Sequence, residues 1–401
     1  MRAILVVLHR YLGLALALFL AFAGLTGSAI SFNEEIDAWL NPTLFEAPAR
    51  GPSLAPGELV AAVERARPEA VVTFVPLDQK PGEAVAVRVE GRAGARLGND
   101  QLFVDPVSGG ILGGRKWGEC CFSAPRLMPF LYRAHYTLAL PGIWGIFLMG
   151  GVGILWAIDC LIGFVLTLPR QRPFFPKWAV AWRVKSGASR FRLCFDLHRA
   201  GGLWFWAVLL IVATSGVAMN LPEQVFRPVV ALFSPLKPSL LAVAGARYRE
   251  NPPKATLTYD EAIGLAHREA AREGFTIEPR YVLHYPAYTA YGVGFLRTGQ
   301  SESTGLGSSA FYFDDRNGSL VTRDVPDEGS AGDVYAAAQY VLHTGRIVGL
   351  PGRIVVCASG LVVTVLSVTG VLIWLRKRSA RRAAQRSTVP PAAIAAAHHP
   401  G

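Results

Sequence analysis

Four runs of apolar residues divide the chain, at about 4–32, 143–168, 203–221 and 354–375. A spanning helix needs ~20 such residues; the third run reaches that length if its helix begins nearer Phe195. The stretches between them, 33–135 and 222–345, change period. In the first, residues 56–68 place Leu59, Val60 and Val63 on one helical face, and apolar-polar alternation follows at 71–76, 84–89 and 101–104. In the second, Thr258-Tyr259-Asp260-Glu261 opens a helix to about Glu273, and strands follow near 280–284, 291–296 and 309–313. Each stretch closes on a turn, Asp105-Pro106-Val107-Ser108-Gly109 and Asp314-Asp315-Arg316-Asn317-Gly318. The pattern predicts a membrane α-helical bundle of four transmembrane helices carrying two α+β domains.

The chain reads as one unit written twice, in the order span, domain, span. Leu8-His9-Arg10-Tyr11-Leu12-Gly13-Leu14 recurs as Leu197-His198-Arg199-Ala200-Gly201-Gly202-Leu203, and Thr26-Gly27 aligns without gaps to Ser215-Gly216. The second and fourth spans match more loosely. Each follows a histidine and a Pro-Gly pair (Pro141-Gly142, Pro351-Gly352), and each has a glycine near its far end (Gly163, Gly370). Two spans per unit give both copies one orientation, as in parallel repeats related by an axis along the membrane normal.

Charge sets the expected topology. The 401 residues carry a net charge of +11. Arg170, Arg172, Lys177, Arg183, Lys185, Arg190 and Arg192 crowd the loop between the second and third spans, and Arg376, Lys377, Arg378, Arg381, Arg382 and Arg386 the tail. The positive-inside rule puts both segments, and with an even span count both termini, in the cytoplasm. This accounts for the basic charge without nucleic acid as a partner. The expected layout is helix 1–32, outside domain 33–135, helix 136–168, basic loop 169–194, helix 195–221, outside domain 222–345, helix 346–375 and tail 376–401. The first run continues past Ala21-Phe22-Ala23 and is repeated by the third, so it reads as a retained span rather than a cleaved leader. Five cysteines form no disulfide framework, and the adjacent Cys120 and Cys121 are awkwardly placed to pair. C-x-x-C-H and Gly-rich nucleotide motifs do not occur.

Ionisable residues at membrane depth are costly and mark function. His9, His198, His135 and His343 stand at the ends of the four apolar runs as two same-side pairs, the requirement for two stacked bis-histidine haems, non-covalent haem b. Gly13 and Gly202 lie four residues after His9 and His198, on the same helical face. Gly27 and Gly216 lie eighteen residues after them, ~27 Å further along at 1.5 Å per residue. Such glycines give a macrocycle room, although small residues also serve close helix packing. Arg10 and Arg199 inside, and Arg133 and Arg346 outside, are candidates for haem propionates; interface anchoring explains them as well. Asp159, the one carboxylate well inside a span, is expected to relay protons or to cap an internal arginine. Trp144, Trp156, Trp204, Trp206 and Trp374 suit haem packing or an interface belt. His267, His398 and His399 read as solvated, and His284 as sheet packing or a pocket wall among Tyr281, Tyr285, Tyr288 and Tyr291.

The helix, strands and closing Asp-x-x-x-Gly of both outside stretches resemble PepSY domains. With Leu-His-Arg-x-x-Gly-Leu and Leu342-His343-Thr344-Gly345-Arg346-Ile347-Val348-Gly349, residues 1–376 resemble the PepSY-associated transmembrane family of iron-regulated inner-membrane proteins. The resemblance implies a di-haem reductase of the bacterial inner membrane, acting on ferric siderophores or other iron chelates at the periplasmic face. An unidentified cytoplasmic donor supplies its electrons. A non-enzymatic regulator of the PepSY inhibitory type and a siderophore permease component are the competing expectations; neither calls for haem.

Overall fold

The computed structural model describes residues 1–238, 243, 254–301 and 303–387. His398 and His399 lie outside the described residues. The chain divides into two compact units, and the first contains Met1–Ser28, Phe147–Val217 and Val356–Gly401. Among the described residues, four helices are long and apolar enough to cross a membrane: Arg2–Ile30, Trp144–Thr167, Arg190–Asn220 and Leu350–Gln385. The third begins about a turn before Phe195, which gives it the length its apolar run lacks. Leu16, Leu20, Val152, Leu209 and Val363 form the core of the bundle.

Small residues set the helix contacts. A Cβ on Gly24 would run into the Gly360 carbonyl, so the first and fourth helices touch backbone to backbone. Ser28 adds a 2.8 Å hydrogen bond to the Cys357 carbonyl. The second and third helices meet at Gly153, where a Cβ would lie 3.0 Å from Val217. There Trp206 Nε1 donates to the Cys160 carbonyl at 3.0 Å. Backbones that approach so closely gain dispersion contacts, which carry helix association in lipid.

The second unit, Ala29–Ile146 with Ala218–Val355, is built on one antiparallel sheet. Its strands are β1 (Ala70–Pro76), β2 (Val85–Gly91), β3 (Gln101–Val104), β4 (Ile111–Arg115), β5 (Ile277–Tyr285), β6 (Ala290–Arg297), β7 (Ser309–Asp314) and β8 (Leu320–Asp324). The order is β4-β3-β2-β1-β5-β6-β7-β8. Each stretch contributes a four-stranded meander. The two meanders join where β1 pairs with β5, Val75 opposite Val282, so the strands expected in two domains form a single sheet. β4 and β8, its edge strands, are additions to the expected elements.

Helices Pro56–Ala66 and Tyr259–Arg272 pack on this sheet. Leu59, Val63, Ala262 and Ala266 meet Val72, Val87, Val282, Val293, Phe295 and Phe311 in a shared core. Each such Val, Leu or Phe side chain contributes about 1.5–3 kcal/mol when fully buried. The Tyr259 hydroxyl donates to the Val72 carbonyl at 2.5 Å, tying the second helix to the first meander. Both closing turns have the same geometry. Asp105 Oδ1 accepts from the amides of Val107 and Ser108, and Asp314 Oδ1 from those of Arg316 and Asn317. Gly109 and Gly318 then both take φ of +71°, a backbone that glycine adopts at no steric cost.

Candidate functional site

The first histidine pair forms inside the helix bundle. His9 and His198, 189 positions apart, come to a ring-centroid separation of 6.1 Å. Their surroundings match. Gly163 on the second helix faces the His9 ring, where a Cβ would lie 3.5 Å from Cε1; Gly370 on the fourth faces His198, where it would lie 3.2 Å from Cε1. In each ring Nδ1 is the hydrogen-bonded nitrogen. His9 Nδ1 lies 2.9 Å from Asp159 Oδ1. His198 Nδ1 lies 3.0 Å from the Leu366 carbonyl and 3.1 Å from the Thr369 hydroxyl. An acceptor at Nδ1 places the proton there and leaves the Nε2 lone pair for a metal, the arrangement that orients histidine ligands. Asp159, 8% exposed, thus has His9 as its partner where an internal arginine was one of the two expectations.

Beside this pair, a Cβ on Gly13 would meet nothing nearer than Asp159 Oδ2 at 3.9 Å, and one on Gly202 nothing nearer than Leu366 at 4.0 Å. Gly27 and Gly216, both partly buried, follow buried hydroxyl residues that fold back on their own helices, Thr26 onto Phe22 and Ser215 onto Ile211. Arg10 is partly exposed. Arg199 is committed to the loop: its guanidinium donates to the carbonyls of Val180, Ala181 and Arg183 and pairs with Asp196 at 2.8 Å.

The second pair forms in the other unit. His135 and His343 have ring centroids 6.2 Å apart. They sit on separate helices, Ala124–Thr137 and Ala331–Thr344, and not on the outer ends of the spans as expected. Each helix then folds tightly onto the start of the next span. A Cβ on Gly145 would strike the Thr137 backbone, and one on Gly352 the Gly345 backbone. Position 345 also needs its glycine, having φ of +76° at the helix end. A capping box of Ser330 and Asp333 starts the His343 helix.

The His135 helix is anchored by a network that the sequence pattern did not reveal. Asp37 and Arg115, each with a side chain 5% exposed, pair at 2.6 Å. Arg115 also donates to the Pro125 carbonyl at 3.0 Å, and Asn41 links Asp37 to the Ala124 carbonyl. Arg133 donates to the Gly118 carbonyl at 3.3 Å. Arg346 is paired with Glu34; burial opposes its charge, but the carboxylate prevails and holds the guanidinium above its ordinary pKa. Tyr132, one turn from His135, is pushed up to about 12, by burial first and then by Tyr340 and Tyr136. His284 is part of the sheet packing: it stacks on Tyr291 at 4.4 Å and its Nε2 lies 3.1 Å from Asp315 Oδ2. His267 is exposed.

These features define a four-span membrane protein with an α+β unit and two histidine pairs. The family model for the PepSY-associated TM region matches residues 6–377, and the chain belongs to that family. No curated protein matches it.

Proposed function

We propose that this chain is a di-haem reductase of the bacterial inner membrane, passing electrons from a cytoplasmic donor to a periplasmic iron chelate such as a ferric siderophore. One observation carries the reading: both histidine pairs close to the separation that one iron requires. A histidine nitrogen binds a metal at about 2 Å, so two imidazoles on one metal put their ring centres roughly 6 Å apart. The pairs stand at 6.1 and 6.2 Å. The donor set is also suitable, since two neutral imidazoles at each site would suit a group that only passes electrons. A haem so held supplies reversible one-electron iron chemistry.

The chain's own residues do the rest. His9 and His198 would hold one group, and Asp159, Leu366 and Thr369 set their tautomers. His135 and His343 would hold the other, from two short helices. Gly13 and Gly202 are uncrowded positions beside the first pair, where a Cβ would make only ordinary contact. The basic loop 169–194 and the tail from Arg376 to Arg386 support a cytoplasmic side for the loop and tail by the positive-inside rule. The mirrored strand order and the matching Asp-x-x-x-Gly turns support two fused copies of one PepSY-like unit, which offers the acceptor its surface. Reducing Fe(III) weakens its bonds to the hard oxygen donors of a chelate, so iron is released.

Vesicles holding the purified protein with its sheet unit outward, loaded with an internal reductant, test this. External ferric chelate should be reduced by the wild type and at background rate by His343→Ala. Equal rates in the two would refute the proposal.

A further inference from the structure

The two histidines of the first pair are satisfied at Nδ1 in different ways. Asp159 and Leu366 hold corresponding places, four residues before Gly163 and Gly370. At Leu366 the backbone carbonyl, with the Thr369 hydroxyl, suffices to orient His198. At Asp159 a carboxylate does the same for His9 at 2.9 Å, although a charge in an apolar helix is costly. The charge is therefore surplus to orientation, and its consequence is electrostatic.

We propose that Asp159 is a positioning residue that also lowers the reduction potential of the iron held by His9 and His198. The proposal rests on the di-haem reading. A hydrogen bond from Nδ1–H to a carboxylate is stronger than one to a carbonyl and raises the donor strength of Nε2. The buried negative charge also acts through a medium of low dielectric and favours the more positive, oxidised iron. Both effects act in one direction. Fe(III) is stabilised over Fe(II), and the site becomes a stronger one-electron donor to whatever accepts from it.

Redox titration of the purified full-length protein, followed in the visible spectrum, tests this. Asp159→Asn keeps an acceptor and removes the charge. It should raise one of two reduction waves by at least tenfold in the equilibrium, about 59 mV for one electron, and leave the other in place. Asp159→Glu should return that wave toward the wild-type position, and Asp159→Ser replaces the amide variant should that not accumulate. Loss of one haem from both neutral variants, with retention in Asp159→Glu, would support the positioning role. Two unmoved waves in a neutral variant that still carries two haems would overturn the proposal and leave the di-haem reading standing. A wild-type protein without haem would overturn both.

Discussion

Replacing Asp37 by alanine should loosen the region that carries His135. The Asp37–Arg115 pair is bidentate, at 2.9 and 2.6 Å, with both side chains 5% exposed. Removing the carboxylate leaves a guanidinium in a site that water hardly reaches. Arg115 keeps only its bonds to Gln101 and to the Pro125 carbonyl. Breaking a buried pair from one side costs about 3–5 kcal/mol, a large part of the roughly 5–15 kcal/mol by which a domain is stable. At 1.36 kcal/mol per tenfold, that raises local opening by between about 10² and 10⁴. Hydrogen exchange read by mass spectrometry, on peptides covering residues 33–41 and 111–128, measures it directly. Glu83→Ala is the control: its partner Lys80 lies 3.6 Å away and both side chains are more than half exposed, so it should cost under ~1 kcal/mol. Replacing Asp37 and Arg115 together by leucine and methionine should recover part of the loss, because no unpaired charge remains. Exchange in Asp37→Ala within about threefold of wild type would refute the reasoning.

Acid should act through Asp105. Burial raises its pKa, but the amides of Ser108, Ala49 and Val107 outweigh that and hold the carboxyl below its ordinary value. A depressed folded pKa contributes stability that is present above the unfolded value, about 3.9 for Asp, and is lost as pH falls through the folded one. Asp105→Asn should therefore cost about 1–2 kcal/mol at pH 7 and less toward pH 3, seen as converging unfolding midpoints; parallel curves would contradict it. At Gly370 the His198 ring leaves a Cβ only 3.2 Å of room. Gly370→Leu should displace that ring and remove one haem, whereas Gly163→Ala, at 3.5 Å, should retain both; a full haem complement in Gly370→Leu would show that the contact is soft.

Local pattern carried much of this architecture. Strand β3 matches its predicted bounds, and β2 buries Val85, Val87 and Val89 on alternate positions. The histidine pairs were legible because each histidine stands beside a long apolar run, and Leu8-His9-Arg10 recurs as Leu197-His198-Arg199. The edge strands were not. β4 has Gly113-Gly114 and no alternation, and β8 is largely exposed, since an edge strand has one partner and little to bury. The helix of His135 contains Pro129, which local propensity counts against a helix. The contacts Asp159–His9, Gly163–His9 and Asp37–Arg115 join residues 78 to 154 positions apart. No periodicity within one element encodes such pairs. They follow from how helices and sheet pack. The sequence did mark Asp159 and Gly163 as unusual, without saying what they face.

Haem content of the purified chain tests the central claim most directly. A pyridine haemochrome assay on protein expressed with ample haem should give close to two non-covalent haems b per wild-type chain, with low-spin spectra before and after dithionite. His9→Ala and His198→Ala should each retain one, and should lose the same one, because their rings share a site. A value near zero in the folded wild-type chain would contradict the account.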